Sequence, residues 1–122
     1  MHVRTHPWHW LLAVTVLAVL TLALLPKPPE TLSTGWDKAN HVLAFAVLTL
    51  LADRASQSHP LHLRHWRWWA LLAYGVLIEL LQGLTPTRQA SGADVLADVL
   101  GMGVGAIAAW LWAQAAARLD RA

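Results

Sequence analysis

The residues of this chain that could carry chemistry are a few charged side chains set into an apolar sequence. Glu79 lies near the end of one apolar run, and Asp94 and Asp98 lie near the start of the next. A carboxylate near the middle of a bilayer costs roughly 2.5–3.5 kcal/mol, so such groups are seldom kept there without a partner or a function. Carboxylates can carry protons, bind cations or accept hydrogen bonds. The stretch from Glu79 to Gly105 is therefore the predicted functional region.

The spacing of these residues assigns them to helix faces. Asp94, Asp98, Gly101 and Gly105 follow one another at intervals of four, three and four residues. Residues at these intervals lie on one stripe of a helix, and small residues on such a stripe allow two membrane helices to approach closely. Gly101 and Gly105 are thus predicted packing positions, and both aspartates should face a neighbouring helix.

Polar residues also lie at the ends of two other apolar segments. Lys38 and His41 come at the start of one segment, while Glu79 and Gln82, three residues apart, come at the end of another. Arg88 lies in the short turn between Gln82 and the last segment. Together these five residues extend the predicted polar site.

The elements that must position these side chains are membrane helices. Of the 122 residues, 57% are hydrophobic and only 13% are charged, whereas about a quarter of a soluble domain is charged. The length fits one domain over residues 1–122. The basic residues form no continuous patch, so no nucleic-acid partner is expected. The sequence has no cysteine, which excludes disulfides and thiolate chemistry.

Four transmembrane helices are predicted in an all-α integral membrane protein. The first run has eighteen uncharged residues, and because no small-x-small cleavage site follows it, we expect a helix and not a signal peptide. The second has an apolar part of only eleven residues (42–52), so an interfacial or re-entrant segment is the alternative to a span. The predicted spans are residues 8–25, 36–53, 68–84 and 92–117.

The basic residues predict the orientation. With four spans, six basic residues lie on one side of the membrane and three on the other, which places both termini in the cytoplasm. The second and fourth helices then begin at the outer face, where the third helix ends. The polar residues should therefore converge in the outer leaflet. The two groups are Arg4, Arg54, Arg64, Arg67, Arg118 and Arg121, against Lys27, Lys38 and Arg88.

The charges of this region do not balance. Four carboxylates face at most three cationic groups, so either one carboxyl is protonated at neutral pH or a cation lies among them. Asp98 lies about one turn deeper than Asp94 and farther from Arg88, so we expect Asp98 to be the neutral one. A purely structural role, in which these groups only hold the helices together, is the alternative. The acids are Asp37, Glu79, Asp94 and Asp98, and the cationic groups are Lys38, His41 and Arg88.

These motifs resemble the VanZ-like family. The pattern D-K-x-x-H-x-x-x-F begins at Asp37, E-x-x-Q begins at Glu79, and R-x-x-S-x-x-D-x-x-x-D-x-x-G begins at Arg88. The resemblance covers about residues 36–105. It implies a small multi-helix protein of the bacterial cytoplasmic membrane, in a family whose founding member is associated with resistance to a glycopeptide antibiotic. The family usually has asparagine at the position of Asp98.

Three functions follow as hypotheses. We favour a protein that binds or modifies a polar or lipid-linked head group of the cell envelope, because Lys38 and Arg88 can meet a phosphate or carboxylate. The first alternative is a proton-coupled exporter of small cations, which would require a homodimer. The second is an intramembrane metal-dependent hydrolase with an oxygen-rich ligand set, suited to magnesium or manganese. Only this last hypothesis requires a metal; otherwise no cofactor is predicted. Its ligands would be His41, Glu79, Asp94 and Asp98.

Overall fold

A computed structural model describes residues 6–25, 37–57, 59–60, 64–85 and 91–121 of the chain. Within these residues the regular structure consists of four helices and contains no strand. The prediction of an all-α protein is confirmed, and each helix lies within a few residues of its predicted position. The helices are α1 (His6–Leu24), α2 (Asp37–Ala55), α3 (Trp66–Gly83) and α4 (Gly92–Arg121).

Successive helices run in opposite directions. At one end of the bundle, the guanidinium of Arg54 on α2 lies 5.9 Å from the ring of Trp8 on α1 and 4.9 Å from the ring of Trp112 on α4. At the other end, the side chain of Gln82 on α3 donates a 2.9 Å hydrogen bond to the carbonyl oxygen of Ala23 on α1. The start of α1 therefore lies beside the end of α2, and the end of α1 lies beside the end of α3.

The end that carries Arg54, Arg64 and Arg67 is called the basic end. Its central group is the buried carboxylate of Asp53, which lies 3.4 Å from Arg64 and 3.1 Å from Arg67. Arg67 also donates to the hydroxyl of Ser56 at 2.9 Å. These contacts join the end of α2 to the start of α3. Three of the six arginines predicted for one side of the membrane, Arg54, Arg64 and Arg67, thus lie at one end of the bundle, while Arg4 lies outside the described residues.

Helices α2 and α4 form the closest helix pair. A Cβ atom added to Gly101 would collide with the carbonyl oxygen of Val42, and one added to Gly105 would lie 2.5 Å from the carbonyl oxygen of Ala46. This pair also has the most extensive interface in the bundle. Both glycines that the sequence places on a packing stripe thus lie against the backbone of α2.

The core lies between α2, α3 and α4, with α1 packed against its outside. Phe45, Leu48 and Ile78 are almost completely buried, and α1 contributes only partly buried side chains. The hydroxyl of Tyr74 on α3 donates a 2.5 Å hydrogen bond to the carbonyl oxygen of Val16. A backbone carbonyl of α1 thus helps to hold this helix in place.

Two of the helices are long and apolar enough to cross a membrane. They are α1 over Pro7–Leu24 and α4 over Gly92–Arg121. Large apolar side chains such as Leu17 and Ile107 are more than 60% exposed on the surface of the bundle, as lipid-facing residues would be. Helices α2 and α3 are less apolar, because α2 begins with a polar turn and α3 contains polar residues. The composition of α1 and α4 thus supports association with a membrane.

Candidate functional site

His41 is the centre of a polar cluster at the end of the bundle opposite the basic end. Its Nδ1 atom lies 2.7 Å from Oδ1 of Asp98. Its Nε2 atom lies 3.7 Å from Oε1 of Glu79 and 3.8 Å from Oδ2 of Asp94. The start of α2, the end of α3 and the start of α4 thus each bring at least one ionisable side chain to this point. We call His41, Glu79, Asp94 and Asp98 the acidic cluster.

The acidic cluster is buried. Relative exposure is 9% for His41, 4% for Glu79, 5% for Asp94 and 0% for Asp98. Charges removed from water interact more strongly and are screened less by salt. Three carboxyl groups surround one imidazole, so the cluster holds more acidic than basic groups and can take up a proton or a cation.

Lys38 lies at the exposed edge of the acidic cluster. Its Nζ atom lies 3.2 Å from Oδ1 of Asp94, while its side chain is 46% exposed. Because water screens such a half-exposed ion pair, the pair adds little to stability. The ammonium group remains accessible to a ligand that approaches the cluster from outside.

Glu79 joins α3 to the start of α4. One of its carboxylate oxygens, Oε2, accepts a 2.9 Å hydrogen bond from the backbone N–H of Ser91. The other, Oε1, is buried and has no hydrogen-bond partner among the described residues. That second oxygen is the one that faces Nε2 of His41. The carboxylate therefore has one structural oxygen and one that is directed into the cluster.

Gly75 is a site residue that sequence reasoning missed. A Cβ atom at this position would lie 2.8 Å from Oδ2 of Asp98 and 3.2 Å from the ring of Phe45. The missing side chain therefore makes room for the deepest carboxylate of the cluster. The available signal was a glycine inside the apolar run of α3, one helical turn before Glu79.

Asp98 has a closer partner than its position in the sequence predicts. From the sequence, Asp98 lies farther than Asp94 from Arg88 and is expected to have little positive charge nearby. The structure places the Asp98 carboxyl group against His41 in the shortest contact of the cluster. The reason is that α2 packs tightly on the glycine face of α4, which brings the first turns of α2 directly over Asp98.

Two other predicted site residues lie apart from the acidic cluster. Gln82 is 2% exposed, and its side-chain amide bonds to the backbone of α1, so its observed role is to hold α1. Arg88 belongs to residues 86–90, which are outside the described residues. Of the predicted polar site, Lys38, His41, Glu79, Asp94 and Asp98 are brought together.

Comparisons with known proteins add no relative. No family model matches the chain, and searches of curated proteins and of solved structures also find no match.

Proposed function

We propose that this chain is a small VanZ-like protein of the bacterial cytoplasmic membrane that binds or modifies a polar or lipid-linked head group of the cell envelope. In this proposal all four helices cross the membrane and both termini are cytoplasmic. The acidic cluster and Lys38 form its site in the outer leaflet. The observation that carries the proposal is that polar residues from three separate apolar segments meet at one end of the bundle.

The distribution of charge supports this orientation. Arg54, Arg64 and Arg67 lie together at the basic end, and arginine is enriched on the cytoplasmic side of membrane proteins. The acidic cluster lies at the opposite end. Asp98 follows Asp94 by four residues on α4. At a rise of 1.5 Å per residue, the cluster extends about 6 Å along the helix axis. A head group at the outer surface is within reach of such a site.

The topology gives the first prediction. A reporter that is active only in the cytoplasm, fused after Ala122, should be active, and a periplasm-specific reporter at the same place should be silent. The physical reason is the excess of basic residues at the end of the bundle where α4 finishes. The opposite pattern of the two reporters would contradict the orientation.

The chemistry of the outer edge favours an anionic group on the ligand. Lys38 is half exposed and already lies 3.2 Å from Asp94, so its ammonium is held at the mouth of the cluster. An ammonium group donates charge-assisted hydrogen bonds to phosphate or carboxylate oxygens. A polar ligand with one anionic group and further hydroxyl or amine groups would thus contact Lys38 at the edge and the carboxylates inside.

The second prediction tests binding directly. Lys38→Ala should weaken the binding of a fluorescently labelled polyprenyl phosphate to the protein in detergent by roughly tenfold, which corresponds to the loss of one charge-assisted hydrogen bond of about 1.5 kcal/mol. The measurement is a titration followed by fluorescence anisotropy.

Arg118→Ala is the matched control, because it also removes one positive charge but lies on an exposed turn near the other end of α4. It should bind the lipid as the wild type does. Equal affinity of wild type and Lys38→Ala, or equal losses in both variants, would contradict a specific site at the acidic cluster.

A further inference from the structure

We propose that the acidic cluster binds a divalent cation, with His41, Glu79 and Asp94 as its ligands and Asp98 as the residue that orients His41. One nitrogen or oxygen atom from each of the three ligands lies within 4.8 Å of the other two. The cation site lies in the same cluster as the proposed head-group site, and this inference rests on that proposed function. The cation would be the positive centre that contacts an anionic head group.

The distances suit a metal after a small contraction. Two ligand atoms bound to one ion at about 2.1 Å lie roughly 3.0–3.4 Å apart in octahedral or tetrahedral geometry. Nε2 of His41 lies 3.7 Å from Oε1 of Glu79 and 3.8 Å from Oδ2 of Asp94. Nε2 of His41 would have to move only a few tenths of an ångström closer to each carboxylate, and the Glu79 and Asp94 oxygens lie within 4.8 Å of each other.

An independent observation is the second oxygen of Glu79. Oε1 is buried and has no hydrogen-bond partner among the described residues, and the Glu79 side chain as a whole is only 5% exposed. Buried polar atoms nearly always have a partner, and one without a protein partner calls for a specific explanation such as an ion. The hydrogen bond from the backbone N–H of Ser91 to Oε2 fixes the orientation of the Glu79 carboxylate, so that Oε1 points toward His41.

The contact between Asp98 and His41 supplies the orientation that a metal ligand needs. A histidine that binds a metal through one ring nitrogen usually donates the N–H of the other to a carboxylate or carbonyl. Here Nδ1 of His41 lies 2.7 Å from Oδ1 of Asp98, and in the Nδ1–H tautomer it donates to that carboxylate. Nε2 is then the lone-pair atom that faces Glu79 and Asp94.

The ligand types indicate the class of ion. One imidazole and two carboxylates form a mixed nitrogen and oxygen set, which suits Mn²⁺ or Zn²⁺ better than Ca²⁺. Cysteine is absent from the sequence, so no soft thiolate ligand favours Cu⁺. A divalent ion would also offset the negative charge of the three buried carboxylates.

The test is titration of the chelator-treated protein in detergent with Mn²⁺, followed by isothermal calorimetry and by the electron paramagnetic resonance signal of the bound ion. We expect one equivalent to bind to the wild type. Asp98→Asn should bind about 10–100-fold more weakly, because it changes an outer-shell partner, and Glu79→Gln should lose at least as much because it changes a ligand.

Asp120→Asn is the control, since it removes an exposed acid of α4 far from the cluster, and it should bind as the wild type does. If the wild type takes up no stoichiometric Mn²⁺, the proposal is wrong whatever the variants do. It is also wrong if Glu79→Gln, shown to be folded by circular dichroism, binds as tightly as Asp120→Asn.

The metal titration and the lipid titration have separate readouts. Stoichiometric Mn²⁺ uptake that is lost in Glu79→Gln supports the cation site even when Lys38→Ala has no effect on lipid binding. Lipid binding with no Mn²⁺ uptake supports the head-group proposal and overturns the cation site.

Discussion

Gly101→Leu is expected to destabilise the folded protein by more than about 3 kcal/mol, the upper end of the usual cost of overpacking a core. A side chain at this position meets the carbonyl oxygen of Val42 and the Cβ atom of Phe45. A backbone oxygen cannot rotate away as a side chain can, so the variant must push α4 from α2. Unfolding followed by circular dichroism in detergent measures the loss, with gel filtration to detect aggregation.

Gly105→Leu should have a similar effect for the same reason. Its Cβ atom would lie 2.5 Å from the carbonyl oxygen of Ala46 and 2.6 Å from Cβ of Thr49. The two glycines lie four residues apart on one face of α4, so each variant tests the same helix contact. We expect both to expose the α2–α4 interface, which contains Phe45 and Leu48 of the core.

Gly103→Leu is the matched control for both variants. It lies on the same helix, between the two packing glycines, and a Cβ atom there has nothing within 4 Å. It should be neutral or slightly stabilising, because glycine in a helix costs up to about 1 kcal/mol relative to better helix formers. A Gly101→Leu protein as stable as Gly103→Leu would mean that α4 does not pack on α2 through this face.

The positions of the helices were predictable because the apolar runs are long and are separated by polar turns. The convergence of Lys38, His41, Glu79 and Asp94 was predictable for a related reason. In an antiparallel bundle the starts of α2 and α4 and the end of α3 must lie at one end. The sequence therefore indicated both the element order and the end of the bundle at which these polar residues meet.

The individual partners were less predictable, because they depend on how each helix is rotated about its axis and on which helices are neighbours. Gln82 and Glu79 lie three residues apart, yet one contacts α1 and the other contacts α4. The pairing of His41 with Asp98 follows from the close approach of α2 to the glycines of α4. The spacing of residues on one helix predicts which side chains share a face, but it does not predict which residues of a neighbouring helix they contact.

The same rotation explains why Gly75 was missed. Its importance comes from Asp98, a residue 23 positions later in the sequence, whose carboxylate occupies the space that a side chain would fill. Read alone, a glycine in an apolar helix indicates only a site of close packing. Its contribution to the acidic cluster could be recognised only when α3 and α4 were placed together.

In the metal-free protein, where a protonated His41 pairs with the surrounding carboxylates, His41→Ala is expected to destabilise the fold by about 3–5 kcal/mol, the cost of removing one partner from a buried ion pair. His41 contacts Asp98 and faces Glu79 and Asp94, and all three carboxylates are at most 5% exposed. Without the imidazole, their mutual repulsion is no longer offset from the centre of the cluster. Unfolding should be measured with a chelator present, so that loss of a bound metal does not contribute.

His65→Ala is the control for the loss of an imidazole. His65 precedes α3 near the basic end, is exposed, and caps α3 without a side-chain hydrogen bond. A surface change of this kind usually alters stability by no more than about 0.5 kcal/mol. A comparable loss in His41→Ala and His65→Ala would show that the acidic cluster does not depend on its histidine.

Asp98→Asn should change stability in opposite directions depending on the residue at position 41. In the wild-type background an amide can still accept the hydrogen bond from Nδ1–H of His41, so the change should be nearly neutral or mildly destabilising. In the His41→Ala background the same change removes one of three neighbouring buried carboxylates, of which only Asp94 keeps a cationic partner in Lys38, and it should raise stability. Contacting residues commonly show coupling energies of about 0.5–3 kcal/mol in such a cycle. A double variant no more stable than His41→Ala alone would mean that repulsion among the carboxylates is not what His41 relieves.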